Sequence, residues 1–219
     1  MSITEVTERE MLIDQALRRF DFTRVEHEVV EADPEAAFAA VRRLDFMKVH
    51  APLMDAAMWV RGVPDKVARA TGRRTEPAQD LPSLTFDGML VGEGALPGWM
   101  SLGEDPPREI AFGAIGKFWQ MDISWLEAMP ETLEAFTAFD DTDWGKIAAN
   151  FSVRPYGHGR SLLSYEARTA MTDDASRMKF ARYWTIVSPF VGVIMRATLR
   201  TVKEDAEGSR PDLNPAAAV

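Results

Sequence analysis

Apolar residues recur at helical spacing near both ends of the chain, and between them they alternate with polar residues or form short runs. Ile13 and Leu17 share a face of a helix predicted over residues 7–20. Residues 22–31 alternate between apolar and polar side chains, which predicts a half-buried strand. Asp33 followed by a proline is typical of an N-cap and first turn, so a second helix is predicted to begin there.

The predicted first strand has two unequal faces. Val25, His27 and Val29 fall on one face, and Arg24 and Glu26 fall on the other. Because the first face carries the valines, we expect it to lie against the core. His27 is then either a core histidine bonded to a backbone carbonyl or a polar group in a pocket wall that serves as acid or base.

In the middle of the chain the pattern changes to short segments rich in glycine and aromatic residues. A helix is predicted over residues 52–60 and another over residues 130–139. Strands are predicted, in chain order, over residues 83–92, 95–103, 108–119, 121–126, 146–154 and 160–171. With the first strand, this gives an α+β protein with an antiparallel sheet of about six to seven strands.

The last two predicted strands flank a Gly-rich turn, which fixes their register. Asn150 is then opposite Glu166, and Arg168 lies on the same face as both. Phe151 and Tyr165 lie on the other face, which is mostly apolar. The alternation favours a cross-strand charge network on the outer side of the sheet for Glu166 and Arg168. In the alternative, these two side chains face a cavity and orient a ligand.

The final element is a long helix predicted from residue 173 or 174 to residue 204, with Pro189 inside it. One apolar stripe runs along this helix at steps of three and four residues. The stripe consists of Phe180, Trp184, Val187, Val191, Ile194 and Thr198. Tyr183 lies about 100 degrees from Trp184 around the helix, so Trp184 is predicted to be the inward-facing ring of the two.

The composition narrows the classes of function. The chain has 219 residues, with 34 Asp and Glu against 25 Lys and Arg, and its formal net charge is −9. An acidic chain has no basic excess to displace phosphate counterions, so no nucleic-acid partner is expected. The absence of cysteine excludes disulfides, thiolate metal sites and a cysteine nucleophile.

The sequence offers few residues in patterns that bind metals or cofactors. The histidines at positions 27, 50 and 158 lack metal-ligand spacing, so no metal site is expected. The glycines match no phosphate-binding loop, and no cofactor is expected. We predict an N-terminal extension over residues 1–20, one domain over residues 21–204 and a disordered tail over residues 205–219. With neither a leader nor a membrane span in the pattern, we expect a cytoplasmic protein without integral membrane association, as a monomer or homodimer.

A set of short motifs in a fixed order resembles a known superfamily. In chain order these are RVEH at 24–27, ADPEAAF at 32–38, RGVP at 61–64, EIAFG at 109–113, GKFW at 116–119, NFSV at 150–153, YEAR at 165–168 and FARYW at 180–184. The chain is similar over roughly residues 20–207 to the SRPBCC superfamily of START-like, polyketide cyclase-related and Bet v 1-like proteins. Within it, the chain most resembles bacterial members without an assigned function.

That resemblance implies a helix-grip fold, in which a curved antiparallel sheet wraps a long C-terminal helix around a cavity. It also implies a hydrophobic small-molecule partner such as a lipid, polyketide or aromatic compound. Because the sequence has no strong acid–base constellation, we expect this partner to be bound without catalysis. The expected ligand-binding residues are Trp59, Trp119, Phe151, Tyr165, Phe180, Trp184, Val187 and Val191. The alternative is a cyclase or dehydratase whose acid–base group is His27, Glu166 or Arg168. A third alternative is a partner-binding module that docks a basic protein on the acidic loop at residues 140–143.

Overall fold

The computed structural model of the chain describes residues 9–46, 98–120 and 122–209. The helix predicted at residues 52–60, the strand predicted at residues 83–92 and Trp59 lie outside these ranges.

The described residues form one antiparallel sheet with helices on both of its faces. The strands are β1 (Phe22–Val30), β2 (Trp99–Asp105), β3 (Glu109–Gly116), β4 (Gly145–Pro155) and β5 (Ser161–Met171), in the spatial order β1-β5-β4-β3-β2. The helices are α1 (Leu12–Ala16), α2 (Pro34–Arg43), α3 (Leu133–Ala138) and α4 (Asp174–Gly208). The molecule is therefore α+β, with a curved sheet and a long C-terminal helix.

Capping side chains begin α2 and α4 at the residues that the sequence predicts. The Asp33 carboxylate accepts a hydrogen bond from the Ala36 N–H at 2.8 Å and caps α2. Asp173 accepts from the Ser176 N–H at 2.8 Å and caps α4 in the same way. The predicted starts of α2 and α4 are confirmed.

Several predicted boundaries are wrong. Within residues 9–46, 98–120 and 122–209 the sheet has five strands, against the six to seven predicted for the chain. Of the strand predicted over residues 121–126, the described part contributes only an isolated bridge, which joins Trp125 to Gly116. The helix predicted over residues 7–20 shrinks to Leu12–Ala16, and α4 continues to Gly208, into the predicted tail.

The β4–β5 hairpin has the predicted register. Asn150 pairs with Glu166 and Ala148 with Arg168. Because β1 pairs antiparallel with β5, Arg24 lies opposite Ala167 and therefore shares its face of the sheet. The side of β1 that faces α4 is consequently the one with the charged residues.

The inner face of the sheet packs against α2 and the C-terminal half of α4. Its core includes Phe112, Phe151 and Leu163 from the strands, and Leu199 and Val202 from α4. All five are at most 2% exposed. Burial of side chains this large contributes about 1.5–3 kcal/mol each and fixes α4 on the sheet.

The outer face of the sheet also carries a core, which corrects the expectation of a solvated side. Ile13 and Leu17 in and after α1, together with Phe136 of α3, pack on Ala111 and Ala148. These contacts place the N-terminal segment across the back of the sheet, about 100 residues away in sequence from the strand that holds it.

By length and composition α4 could cross a membrane, as many core helices could. In this structure it contacts β1, β5 and α2.

Candidate functional site

Aromatic rings cover the inner face of the sheet at its centre. The Phe151 and Tyr165 rings are stacked, with centroids 4.2 Å apart and planes at 22°. The Phe112 ring lies 6.3 Å from Phe151 and 6.4 Å from Tyr165. Of the predicted wall residues, Phe151 is fully buried, whereas Tyr165 is only half-buried.

The Tyr165 hydroxyl is a polar group within this apolar layer. Among the described residues it has no hydrogen-bond partner, and burial raises its pKa above the ordinary value of 10.0. It therefore stays protonated at neutral pH and is able to donate a hydrogen bond. The phenolic hydrogen of Tyr165 is therefore available to a ligand oxygen on this face of the sheet.

The middle of α4 is less buried than its two ends. Between Phe180 and Met195, both 2% exposed, Gly192 is the one fully buried residue of this helix, which the structure describes throughout. Val187 and Val191 are half-buried, although they lie on the helical face that carries the buried Phe180 and Thr198. The helix is therefore held at both ends and is incompletely packed between them.

Aromatic side chains surround Phe180 at one end of this under-packed stretch. The Trp184 ring is stacked on Phe180, with centroids 5.7 Å apart, and the Tyr183 ring lies 5.6 Å from Phe180. Both rings are half-buried, and the Trp184 ring also lies 6.2 Å from the ring of Phe22 on β1. Trp119 is half-buried beneath the Lys179 ammonium, which lies 5.6 Å from its ring centroid.

A charged cluster connects β1 to α4 on the inner face. Glu26 accepts hydrogen bonds from the Nε of Arg24 at 2.8 Å and from the Nη1 of Arg196 at 2.7 Å. Burial acts to raise the pKa of Glu26, but the hydrogen bonds and charges of the two arginines outweigh it and hold that pKa below its ordinary value. A Cβ on Gly192 would be 2.3 Å from the Nη2 of Arg24, so this glycine makes room for the guanidinium.

This charged cluster was not predicted from the sequence. Because β1 carries valines on one face, that face was expected to lie against the core, but pairing with β5 puts Arg24 and Glu26 on the inner side. Arg196, three positions before the buried Leu199 on α4, was the available signal, because a charge so close to the core needs a partner.

The three acid–base candidates lie on the opposite side of the sheet. His27 is opposite Ser164, and its Nδ1 is 2.8 Å from the Ser164 Oγ. The Nε of Arg168 donates to Glu166 at 2.7 Å, and its Nη1 donates to Asp14 at 2.8 Å. The structure thus brings Glu166 and Arg168 together with the N-terminal segment and leaves His27 apart, away from α4.

The comparisons with known proteins give only distant similarities. No protein-family model matches the chain, and no curated protein matches it. Solved structures that resemble it include hypothetical protein jhp0584 from Helicobacter pylori, at 10% identity and a TM-score of 0.42, over 94% of this chain and 99% of that one. CalU16 from Micromonospora echinospora is 13% identical, with a TM-score of 0.27 over 85% of this chain and 84% of that one.

Norcoclaurine synthase from Thalictrum flavum is 11% identical, with a TM-score of 0.31 over 93% of this chain and 96% of that one. All of these TM-scores are below 0.5, so the similarities carry no argument about what this chain binds or catalyses.

Proposed function

We propose that this protein has a helix-grip fold and binds a hydrophobic small molecule, without catalysis, between the inner face of its sheet and the middle of α4. The observation that carries the proposal is the incomplete burial of Val187 and Val191 on the face of α4 that is buried at both of its ends. Partly exposed apolar side chains between two packed ends of a helix suit the hydrophobic wall of a ligand site.

Two further observations agree with a ligand of this kind. The aromatic layer of Phe112, Phe151 and Tyr165 offers ring faces for an apolar or aromatic body. The unpartnered hydroxyl of Tyr165 supplies one donor for a carbonyl or hydroxyl oxygen. A mostly apolar molecule with a single polar oxygen therefore suits this space.

Catalysis has less support. The cyclase or dehydratase alternative requires an acid–base group on the inner side, and His27, Glu166 and Arg168 are all on the outer side. Glu26 is on the inner side, but its two arginine partners hold it ionised, which makes it a poor proton donor at neutral pH.

The test uses N-phenyl-1-naphthylamine, a neutral probe whose fluorescence rises in apolar sites, with the full chain. Val187→Trp places a bulky ring in the under-packed stretch and is expected to weaken probe binding about tenfold, which corresponds to about 1.4 kcal/mol. Ala167→Leu, which fills the same space from β5, is expected to act in the same direction. The matched control is Ile186→Trp, because Ile186 directly precedes Val187 and is 69% exposed.

Absence of saturable probe binding by the unaltered protein would overturn the proposal, and so would equal affinity in Val187→Trp and Ile186→Trp. Organic extraction of protein purified from its native host, followed by mass spectrometry, is expected to release a stoichiometric apolar compound.

A further inference from the structure

A second cleft lies on the outer side of the sheet, away from the proposed ligand space. It has a volume of about 360 Å³ and is formed by the residues that follow α1, the end of α3 and the adjoining ends of β4 and β5. This volume is within the range of small-molecule sites. We call it the outer groove, and its lining includes Leu17, Arg19, Phe139, Asp140, Lys146 and Ala170.

Lys146 is the buried charge of the outer groove. Lys146 is 8% exposed, and its Nζ donates hydrogen bonds to the Thr137 carbonyl at 2.8 Å and to the Phe136 carbonyl at 3.3 Å. An ammonium group has three N–H donors, so one remains after these two bonds. Among the described residues, Lys146 forms no ion pair with a carboxylate. Burial lowers its pKa, and the charge of Asp140 opposes that shift.

The rim of the groove adds a second cation. Arg19 is exposed and forms no ion pair with any residue in the described ranges, whereas the neighbouring Arg18 is paired with Glu10. Arg18, Arg19 and Lys146 outweigh Asp140 by two positive charges in the lining, and the ion pair of Arg18 with Glu10 leaves one of these charges unmatched. The groove is therefore locally cationic in a chain whose net charge is −9.

The other walls of the groove are apolar. Leu17, Phe139 and Ala170 lie beside the two cations and pack with the outer core of the sheet. A ligand that satisfies both sets of groups carries one negative charge at one end and a short hydrocarbon body at the other. A dianion is disfavoured because Asp140 lies on the same cleft.

We propose that the outer groove binds a small monocarboxylic acid, with its carboxylate on Lys146 and Arg19 and its hydrocarbon chain on Leu17, Phe139 and Ala170. The carboxylate accepts the remaining N–H of the Lys146 ammonium and supplies the counter-charge that the protein does not. This site is separate from the proposed ligand space, because the sheet lies between them.

The experiment compares hexanoate with hexan-1-ol, which has the same chain length and no charge. Both are titrated into the full chain with ¹³C-methyl-labelled alanine, and the Ala170 signal, assigned with Ala170→Gly, reports on the groove. Hexanoate is expected to shift this signal saturably and to bind at least about tenfold more tightly than the alcohol, which corresponds to about 1.4 kcal/mol.

Three variants test which positive side chains hold the carboxylate of hexanoate. Lys146→Met is expected to weaken hexanoate binding at least about tenfold, and Arg19→Gln a few-fold, because rim charges are screened by solvent. The control Arg9→Gln removes an exposed arginine of the same segment, outside the groove, and is expected to leave binding unchanged.

Equal response to hexanoate and hexan-1-ol would overturn this proposal, and so would full hexanoate affinity in Arg19→Gln, which is exposed and does not threaten folding. Val187→Trp is expected to leave hexanoate binding unchanged, so failure at the outer groove is distinguishable from failure of the inner site.

Discussion

Replacing Glu109 by glutamine is the sharpest test of how the N-terminal segment is held. The Glu109 carboxylate is fully buried; its Oε2 accepts from the Leu12 N–H at 2.6 Å, and its Oε1 accepts from Ile13 at 3.1 Å and from the Asn150 amide at 2.6 Å. Glutamine keeps one oxygen and turns an NH₂ group toward a donor. Because a hydrogen bond to a charged group contributes about 1.5–3 kcal/mol, we expect Glu109→Gln to lower the free energy of unfolding by about 2–3 kcal/mol.

For a chain of this length that loss lowers Tm by roughly 4–12 °C, measurable by calorimetry. Hydrogen exchange is expected to show faster exchange at the Leu12 and Ile13 amides than in the unaltered protein. The matched control is Glu10→Gln, a surface carboxylate paired with Arg18, with an expected change under about 0.5 kcal/mol. A Glu109→Gln protein as stable as this control would refute the reasoning.

Two further predictions concern single polar groups. Tyr165→Phe removes a hydroxyl without a partner in the described part of the chain, so chemical denaturation is expected to show unchanged or higher stability; a loss above about 1 kcal/mol would reveal a bond that the structure lacks. The pKa of Asp173 is lowered from 3.8 to about 2 by hydrogen bonds from Ser176 and Asp143, so its contribution is present above pH 4 and is lost as pH falls toward 2. When the denaturation midpoint is measured as pH is lowered from about 4 to about 2, Asp173→Asn is expected to show a smaller decrease than the unaltered protein. An equal decrease in both proteins would contradict this role of Asp173.

The elements that local chemistry specifies were predictable from the sequence. Asp33 and Asp173 cap helices with their own side chains, and the short Gly-rich turn sets the register that pairs Asn150 with Glu166. In each case the interacting groups lie within about 20 residues of one another.

What depends on distant partners was not predictable. The N-cap residue of α1, Met11, makes no capping hydrogen bond with its side chain; the carboxylate of Glu109, 97 residues away from Leu12, accepts from the Leu12 N–H instead. The polar face of β1 is inside because Arg196 and Gly192 of α4 meet it there. The outer groove likewise exists only once residues after α1 approach Lys146.

The attachment of α1 to the back of the sheet has a consequence for synthesis of the chain on the ribosome. Asp14 pairs with Arg168, 154 residues later, and Leu12 is held by Glu109. Residues 9–20 therefore emerge early but have no binding partner until most of the remaining chain has been translated. Over that interval Ile13 and Leu17 stay uncovered, and this segment reaches its native position only after β3 and β5 have been synthesised.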